Sequence, residues 1–292
     1  MSKVGLVLEG GGQKGIYTAG VLDCLLDAGI HIGYVIGVSA GAACATAYIS
    51  GQRGRNYTVY ISSAGKRKYL SLMNYFSQGS VFGVKYVYDT LPNGTIPLDY
   101  NAADSSGIEY WVVATDCRTG LPFYKRIVNL RNNMRYLMAS SAIPLVSRIF
   151  KVEGNLLLDG CASDSIPIEK SIADGNDKNI VILTKNKEYR LAEPTPSNRM
   201  LTKIAYGRYP GLMNSVLNRH NCYNACLDRL QELETQGKAL LVRPTKPFAV
   251  SQFEKNKENL ISLYNNGYED ATNCLPNIID FIKDASNAEI KK

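Results

Sequence analysis

Two stretches near the amino terminus decide the fold: residues 4–15 read VGLVLEGGGQKG and residues 32–41 read IGYVIGVSAG. Each begins with a short apolar run that ends at glycine or serine, which predicts a buried strand. After the first strand, apolar residues recur at helical spacing up to Gly29, and an alanine-rich helix is expected from Ala40 to Ile49. A strand–helix–strand–helix opening with tight turns predicts a parallel sheet covered by helices.

The remainder of the chain continues this pattern. Further strands are expected at residues 109–115, 123–128, 148–152, 156–158, 179–183 and 240–242. Helices are expected at residues 132–141, within 198–236 and, as a pair, at the carboxy terminus. The predicted fold class is therefore α/β: a mostly parallel central sheet covered by helices on both faces, with a helical carboxy-terminal region.

The composition is that of an ordinary globular protein. The 292 residues include 33 Lys and Arg against 26 Asp and Glu, a formal net charge of +7, and 45% are hydrophobic. A disordered chain would have fewer aromatic residues and more charge per residue. The seven cysteines are an odd number spread thinly along the chain, which argues against a disulfide framework and favours a reducing compartment.

The amino terminus is not typical of a secretory signal, because Glu9 interrupts its apolar run and no cleavage site follows. Residues 28–52 carry no Lys, Arg, Asp or Glu. Their Gly, Ala and Ser content favours a buried strand and helix over a membrane span. We therefore expect a soluble, cytoplasmic protein.

The glycine loop Gly10-Gly11-Gly12-Gln13-Lys14-Gly15 fits the G-x-G-x-x-G dinucleotide fingerprint. That fingerprint also needs an acidic residue about 20 positions later, and none occurs between Asp27 and Asp89. Backbone N–H groups beside glycines, together with the positive end of the next helix, suit a phosphate or a transition-state oxyanion. A tight turn that requires positive φ angles is the alternative interpretation.

The pentapeptide Gly37-Val38-Ser39-Ala40-Gly41 is G-x-S-x-G between a strand and a helix, the context of a nucleophile elbow. The sharp turn would expose the Ser39 hydroxyl, and Gly37 and Gly41 would relieve crowding around it. The alternative is a serine that only caps the helix.

A nucleophilic serine needs a base, and the chain has only two histidines. His31 is expected at the opposite end of the strand that leads to Ser39. His220 lies in the helical tail beside Cys222 and Cys226, where we find no further convincing metal ligand. No metal site is predicted.

Asp159 is the better candidate for the base, because LLLDG at residues 156–160 places a carboxylate at the end of an apolar strand. Partial burial would raise its pKa and make it a stronger base for the Ser39 proton. From the residues alone, an ordinary turn aspartate before Gly160 explains the pattern equally well.

Taken together, these motifs resemble those of the patatin-like phospholipases. GGGQKG at 10–15, GVSAG at 37–41 and DGC at 159–161 match that family's oxyanion loop, elbow and catalytic Asp-Gly. A fourth similarity is ASSAIP at 139–144. The resemblance runs from Lys3 to about Leu183, is weakest from Gln52 to Gly107, and is closest to bacterial members.

The resemblance implies a patatin-like three-layer sandwich and a Ser39–Asp159 dyad that hydrolyses acyl esters of lipids without metal or cofactor. It also implies that Gly10, Gly11 and Gly12 supply oxyanion donors and that Lys14 is the basic residue of the loop. Cys161 departs from the family's Gly or Ala, and Ser165-Ile166-Pro167 from its Asn-x-Pro. These departures concern subfamily and substrate more than the dyad.

Two units within one domain follow from this comparison. Residues 1–185 are expected to form the catalytic core, with 53–107 as an insertion or lid, and residues 186–292 a mainly helical part packed on it. The expected partner is a lipid or another acyl ester. A general carboxylesterase or thioesterase, or a catalytically silent lipid-binding protein, are the alternatives. No pattern indicates the oligomeric state.

The segment after the second helix predicts contact with a membrane. No acid occurs between Ala28 and Tyr88, whereas six Lys and Arg and ten Tyr and Phe do. The basic residues are Arg53, Arg55, Lys66, Arg67, Lys68 and Lys85, and the aromatic ones include Tyr57, Tyr60, Tyr69, Tyr75, Phe76 and Phe82. This composition favours an interfacial lid on an anionic membrane surface, at the inner face of the cell membrane, or else a plain surface insertion. Nothing in it resembles a nucleic-acid-binding module, so no nucleic-acid partner is predicted.

Overall fold

The computed structural model describes residues 3–287. Within that range, eight strands form one sheet. In chain order they are β1 (Val4–Leu8), β2 (Tyr34–Val38), β3 (Glu109–Asp116), β4 (Pro122–Ile127), β5 (Phe150–Val152), β6 (Asn155–Asp159), β7 (Lys178–Ile182) and β8 (Ala239–Val242). The strand order is β5-β6-β3-β2-β1-β7-β8, with β4 also paired to β3.

Ten α-helices accompany the sheet over the same residues. They are α1 (Gly15–Asp27), α2 (Ala40–Ile49), α3 (Arg55–Ser63), α4 (Leu72–Gln78), α5 (Tyr100–Ser105), α6 (Leu130–Ser140), α7 (Ile168–Ala173), α8 (Pro196–Tyr206), α9 (Pro210–Thr235) and α10 (Lys257–Asn287). No helix of the described part of the chain is both long enough and apolar enough to cross a membrane.

Alternating strand residues divide the core between the two faces of the sheet. Leu6 and Leu8 of β1 pack with buried residues of α1, α2, α6 and α10. Val7, between them, faces the other side and packs with residues of α7 and α9. Helices therefore cover both faces, because every central strand is apolar on both sides. The predicted three-layer α/β fold is confirmed.

The pairing of β3 sets the position of the site. On one edge, β3 pairs in parallel with β2 from Glu109 to Val113, and then antiparallel with β6 from Ala114 to Asp116. The other edge of β3 pairs with β4 over residues 110–115, so β2 and β6 share one edge and follow each other along it. Asp159, opposite Ala114, therefore lies just beyond the end of β2.

The prediction of two carboxy-terminal helices is wrong. A single helix, α10, continues from Lys257 through Pro276 to Asn287. α10 packs along α1, and the two backbones meet at glycines. A Cβ on Gly20 would lie 2.2 Å from the Tyr264 carbonyl oxygen, and one on Gly267 would lie 2.2 Å from that of Tyr17. This long contact favours one continuous helix over the break that proline alone would favour.

The α1–α10 contact predicts a specific loss of stability. Gly267→Ala should lower the free energy of unfolding by about 1–3 kcal/mol, because the added methyl forces the helices apart. Gly33→Ala is the matched control, since a Cβ there meets nothing within 4 Å. Chemical denaturation of both variants measures the difference. Equal stabilities would contradict the close packing described here.

Candidate active site

Ser39 occupies a strained turn between β2 and α2. Its φ of 52° and ψ of −117° place a non-glycine residue in a region that costs free energy and occurs mainly at functional sites. The two neighbouring glycines are required by packing. A Cβ on Gly41 would lie 2.5 Å from the Leu8 carbonyl oxygen, and one on Gly37 would lie 2.6 Å from the Ala42 nitrogen.

The structure brings Ser39 and Asp159 together. The Ser39 hydroxyl donates a hydrogen bond of 2.8 Å to Asp159 Oδ2. The other oxygen, Oδ1, accepts the Cys161 N–H at 2.8 Å, which fixes the orientation of the carboxylate. Both side chains are buried, Ser39 at 5% exposure and Asp159 at 2%.

The electrostatic environment of Asp159 suits a proton acceptor. Burial raises the pKa of its carboxyl above the usual range, while the hydrogen bonds from the Cys161 N–H and the Ser39 hydroxyl act in the opposite direction. A carboxylate with a raised pKa binds a proton more strongly than an exposed one does, so it is a better base once ionised.

The ASSAIP segment holds the serine and the aspartate in place, a role that the sequence did not reveal. Ser140 Oγ accepts the Ser39 N–H at 2.8 Å and donates to the Val113 carbonyl at 2.6 Å. The Ala142 carbonyl accepts the Asp159 N–H at 2.9 Å. A single segment at the end of α6 therefore bonds to the backbone of both residues.

The glycine loop lies directly against Ser39. A Cβ on Gly10 would come within 3.3 Å of Ser39 Cβ and 2.3 Å of Cys161 Sγ, so no larger residue fits there. The Gly10 N–H points to the Ser165 carbonyl over a long 3.4 Å contact. The N–H groups of Gly11 and Gly12 have no hydrogen-bond acceptor within residues 3–287. Two unpaired donors thus remain beside the serine.

Glu9, which precedes the loop, is a fully buried carboxylate that sequence reasoning missed. It accepts hydrogen bonds from Thr184 Oγ1 at 2.9 Å and Tyr223 OH at 2.7 Å, and it forms an ion pair with Lys185. Burial opposes its charge, but Lys185 and the hydrogen bonds outweigh burial and lower its pKa. The one available signal was an acid directly after an apolar strand.

Lys14 lies near Lys185 and Glu9 and does not line the cavity in front of Ser39. Its Nζ lies 5.9 Å from the centre of the Tyr189 ring and 5.8 Å from that of Phe248. Burial and the nearby Lys185 ammonium lower its pKa. Gly12 lines the cavity that contains Ser39, whereas Lys14 does not.

An apolar cavity of about 100 Å³ extends from Ser39. One wall is α2, including Ala43 and Cys44. The opposite wall comes from the segment that was predicted as a lid, and its aromatic members are Tyr60, Tyr69, Phe82 and Tyr88. Phe76, in contrast, is exposed to solvent. The aromatic residues of the insertion are therefore divided between the cavity wall and the surface.

The histidines lie away from Ser39 and Asp159. His31 is exposed and precedes β2, so it is at the end of that strand opposite to Ser39. His220 contacts the Leu217 carbonyl through Nδ1 at 3.1 Å. Across the described residues, no group of three or more His, Cys, Asp and Glu side chains is arranged to hold a metal ion.

Comparison with known families gives two matches. A family model described as patatin-like phospholipase matches residues 6–172. A second, described as a domain of unknown function (DUF6363), matches residues 209–283. The first match contains the glycine loop, Ser39 and Asp159. The second contains Tyr223, which donates a hydrogen bond to Glu9, and Gln252, which lies against Gly12.

Individual relatives are more distant. The uncharacterized protein YjjU of Escherichia coli is 27% identical over 250 residues, 84% of this chain and 69% of that protein. An uncharacterized NTE family protein of Mycobacterium tuberculosis is 27% identical over 69% of this chain. Lysophospholipase nte1 of Emericella nidulans is 27% identical over 76% of it. The chain spans only 55% of the mycobacterial and 14% of the fungal protein. The crystal structure of VipD from Legionella pneumophila aligns with 95% of this chain and 67% of that one, at TM-score 0.46 and 14% identity.

The raised pKa of Asp159 predicts that its ionisation costs stability. In the native state the proton is held more tightly than in the unfolded chain, so stability falls as pH rises from about 4 through the raised pKa. Asp159→Asn removes this loss while keeping the shape. Its melting temperature should exceed that of the unmodified chain above this range, and the difference should vanish in acid. Asp280→Asn, the same substitution at an exposed site of α10, is the control for the loss of one carboxylate. A constant difference at every pH would contradict the assigned cause.

Proposed function

This chain belongs to the patatin-like phospholipase family, and from that premise we propose that it is a serine acyl hydrolase that cleaves acyl ester bonds of phospholipids or other lipids. Its relatives include proteins described as lysophospholipases, which supports a lipid substrate. The observation that carries the proposal is the buried 2.8 Å hydrogen bond from Ser39 Oγ to Asp159 Oδ2. It pairs a strained serine with a carboxylate of raised pKa.

In the proposed reaction, Asp159 accepts the proton of Ser39 as Oγ attacks the ester carbonyl carbon. The tetrahedral intermediate collapses when the carbon–oxygen bond to the alcohol breaks, and Asp159 returns the proton to the leaving oxygen. Water then attacks the acyl carbon, with Asp159 again as the base. The bond between that carbon and Ser39 Oγ breaks, the fatty acid leaves, and Asp159 returns the proton to Oγ. In this scheme the two side chains and one water molecule account for every proton transfer.

We assign the oxyanion donors to the glycine loop. The free N–H groups of Gly11 and Gly12 are the donors best placed to meet negative charge on the former carbonyl oxygen. Gly10 contributes through its lack of a side chain, which allows the loop to approach Ser39. The ion pair of Glu9 and Lys185 stabilises the residues on either side of the loop's packing, and Lys14 adds positive charge near that pair.

The cavity supports an acyl chain as the group recognised. It begins at Ser39, and its lining is largely apolar, with the aromatic residues of the insertion forming one wall. An acyl chain placed there would leave the alcohol portion outside. The proposal therefore specifies the acyl side of the substrate and leaves the head group open.

The dyad has a direct kinetic test. Ser39→Ala and Asp159→Asn should each reduce ester hydrolysis to background, and the double variant should lose little more, because the two groups act as a unit. His31→Ala and His220→Ala are matched controls that should retain most activity. Release of fatty acid from a lipid panel is the measurement. Loss of turnover in a folded histidine variant would point to a triad instead.

The contact between Gly10 and Cys161 allows a rescue experiment. Gly10→Ala should lower kcat by about 100-fold or more, because the methyl collides with Cys161 Sγ and displaces the oxyanion loop. Cys161→Ala alone should remain active, because it keeps the backbone N–H that holds Asp159 Oδ1. The double variant should recover part of the lost kcat. Failure of the double variant to recover any activity would show that the sulfur contact does not set the position of the loop.

A further inference from the structure

Helix α8 presents its apolar side to solvent. Met200, Leu201 and Ile204 lie on one side of the helix and are 52–70% exposed. The two buried side chains, Thr202 and Tyr206, are on the opposite side. An amphipathic helix in a globular protein normally turns its apolar face to the core, so this orientation is inverted.

Helix α4 shows the same arrangement. Leu72, Met73 and Phe76 are 72–76% exposed. The buried member of this short helix is the polar Asn74, whose side-chain amide donates to the carbonyls of Arg67 and Lys68. The two helices therefore expose six large apolar side chains, although they lie more than a hundred residues apart in the sequence.

A single loop, residues 143–148, connects these two helices in space. The Leu145 N–H donates to Tyr206 OH of α8 at 2.7 Å. The Arg148 N–H donates to the Gly79 carbonyl at the end of α4 at 2.6 Å, and its guanidinium lies 5.3 Å from the centre of the Tyr75 ring. Leu145 itself is partly exposed. The loop therefore contacts both helices, and we call α4, this loop and α8 together the docking surface.

The docking surface borders the cavity that contains Ser39. Ile143, at the start of the connecting loop, lines that cavity. Phe82 lines it as well and pairs through its backbone with Leu70, just before α4. A molecule bound to the docking surface would therefore lie next to the route to the serine.

The charge next to the docking surface is mostly positive, and the acid just before α8, Glu193, is paired with Arg199. No Asp or Glu occurs between Asp27 and Asp89 or between Glu193 and Asp228. Next to α4, the side chains of Lys66, Arg67 and Lys68 are exposed, and on α8 and just after it so are those of Lys203 and Arg208. None of these five forms an ion pair with another described residue.

From these observations we propose that α4 and α8 together dock the protein on an anionic lipid bilayer, with their apolar side chains at the acyl boundary and their basic residues at the headgroups. The inference rests on the proposed function, since it explains how a buried serine meets a lipid. It extends that function by adding α8, outside the segment that the sequence marked for membrane contact.

A second copy of the chain is the competing occupant, and charge argues against it. A twofold interface would place the same surface of both copies face to face. The basic residues that flank the apolar side chains would then be brought together without acids to compensate them. An anionic bilayer satisfies both the apolar and the cationic parts of the surface.

The test is binding to vesicles by an inactive chain, Ser39→Ala, so that hydrolysis does not alter the lipid. Phosphatidylcholine vesicles with and without phosphatidylglycerol are sedimented with the protein. Binding should require the anionic lipid and weaken as salt rises. Three sets of substitutions should each reduce it at least about tenfold: Met200→Gln with Leu201→Gln and Ile204→Gln; Leu72→Gln with Met73→Gln and Phe76→Gln; and Lys66→Ser with Arg67→Ser and Lys68→Ser.

Val128→Gln with Ile279→Gln is the matched control, because both residues are exposed and apolar but belong to none of the three elements of the docking surface. This control should bind as the parent does. In the active chain, all variants should hydrolyse a short soluble ester normally, which separates failure of docking from failure of the proposed chemistry. Unchanged vesicle binding by the α8 variant would overturn the proposal. So would substitutions that only dissociate a dimer, as measured by sedimentation velocity.

Discussion

The succession of β2 and β6 along one edge of β3 is the constraint on which the site depends. Because β6 takes over the pairing at Ala114, its last residue, Asp159, faces the turn that follows β2. Ser39 must adopt a positive φ in that turn, and Ser140 and Ala142 hold the backbones of both residues. The side chains therefore meet without any histidine between them. Strand register brings Ser39 and Asp159 close together. No flexible loop therefore has to lose conformational entropy to do so.

Support for the glycine loop at residues 10–15 comes from residues far beyond it in the sequence. Tyr223, 214 residues after Glu9, donates to the buried carboxylate, and the Gln252 carbonyl accepts the Gln13 N–H at 3.2 Å. Gly11 packs against Thr184, so closely that a Cβ there would lie 2.7 Å from its hydroxyl. The loop is thus enclosed by residues that lie after the matched patatin-like segment. The carboxy-terminal region therefore completes the packing around the glycine loop and, through β8, adds the last strand on one side of the sheet.

Most of the fold could be predicted from the sequence, because the signals for it lie within short segments. They are apolar runs for β1 and β2, helical spacing for α1, and glycines where backbones approach. The same signals identified Ser39 in its turn. They left Asp159 undecided, since only the register of β6 places its carboxylate beside Ser39. They missed Glu9 and Ser140, whose partners are distant in sequence, and they split α10 in two because its contact with α1 is not visible in the chain. The outward face of α8 was hidden for the same reason, since periodicity shows that a helix is amphipathic but not which side is buried.

The central claim is that Ser39 is a nucleophile activated by Asp159 alone, and covalent labelling tests it most directly. A fluorophosphonate should form one adduct, on the tryptic peptide of residues 15–53, with fragmentation placing it on Ser39 rather than Ser50. The labelling rate should rise with pH through the ionisation of Asp159 and should fall to background in a folded Asp159→Asn chain, while replacement of both histidines leaves it unchanged. An adduct on another residue, or labelling of Ser39 that survives the loss of Asp159, would contradict the account.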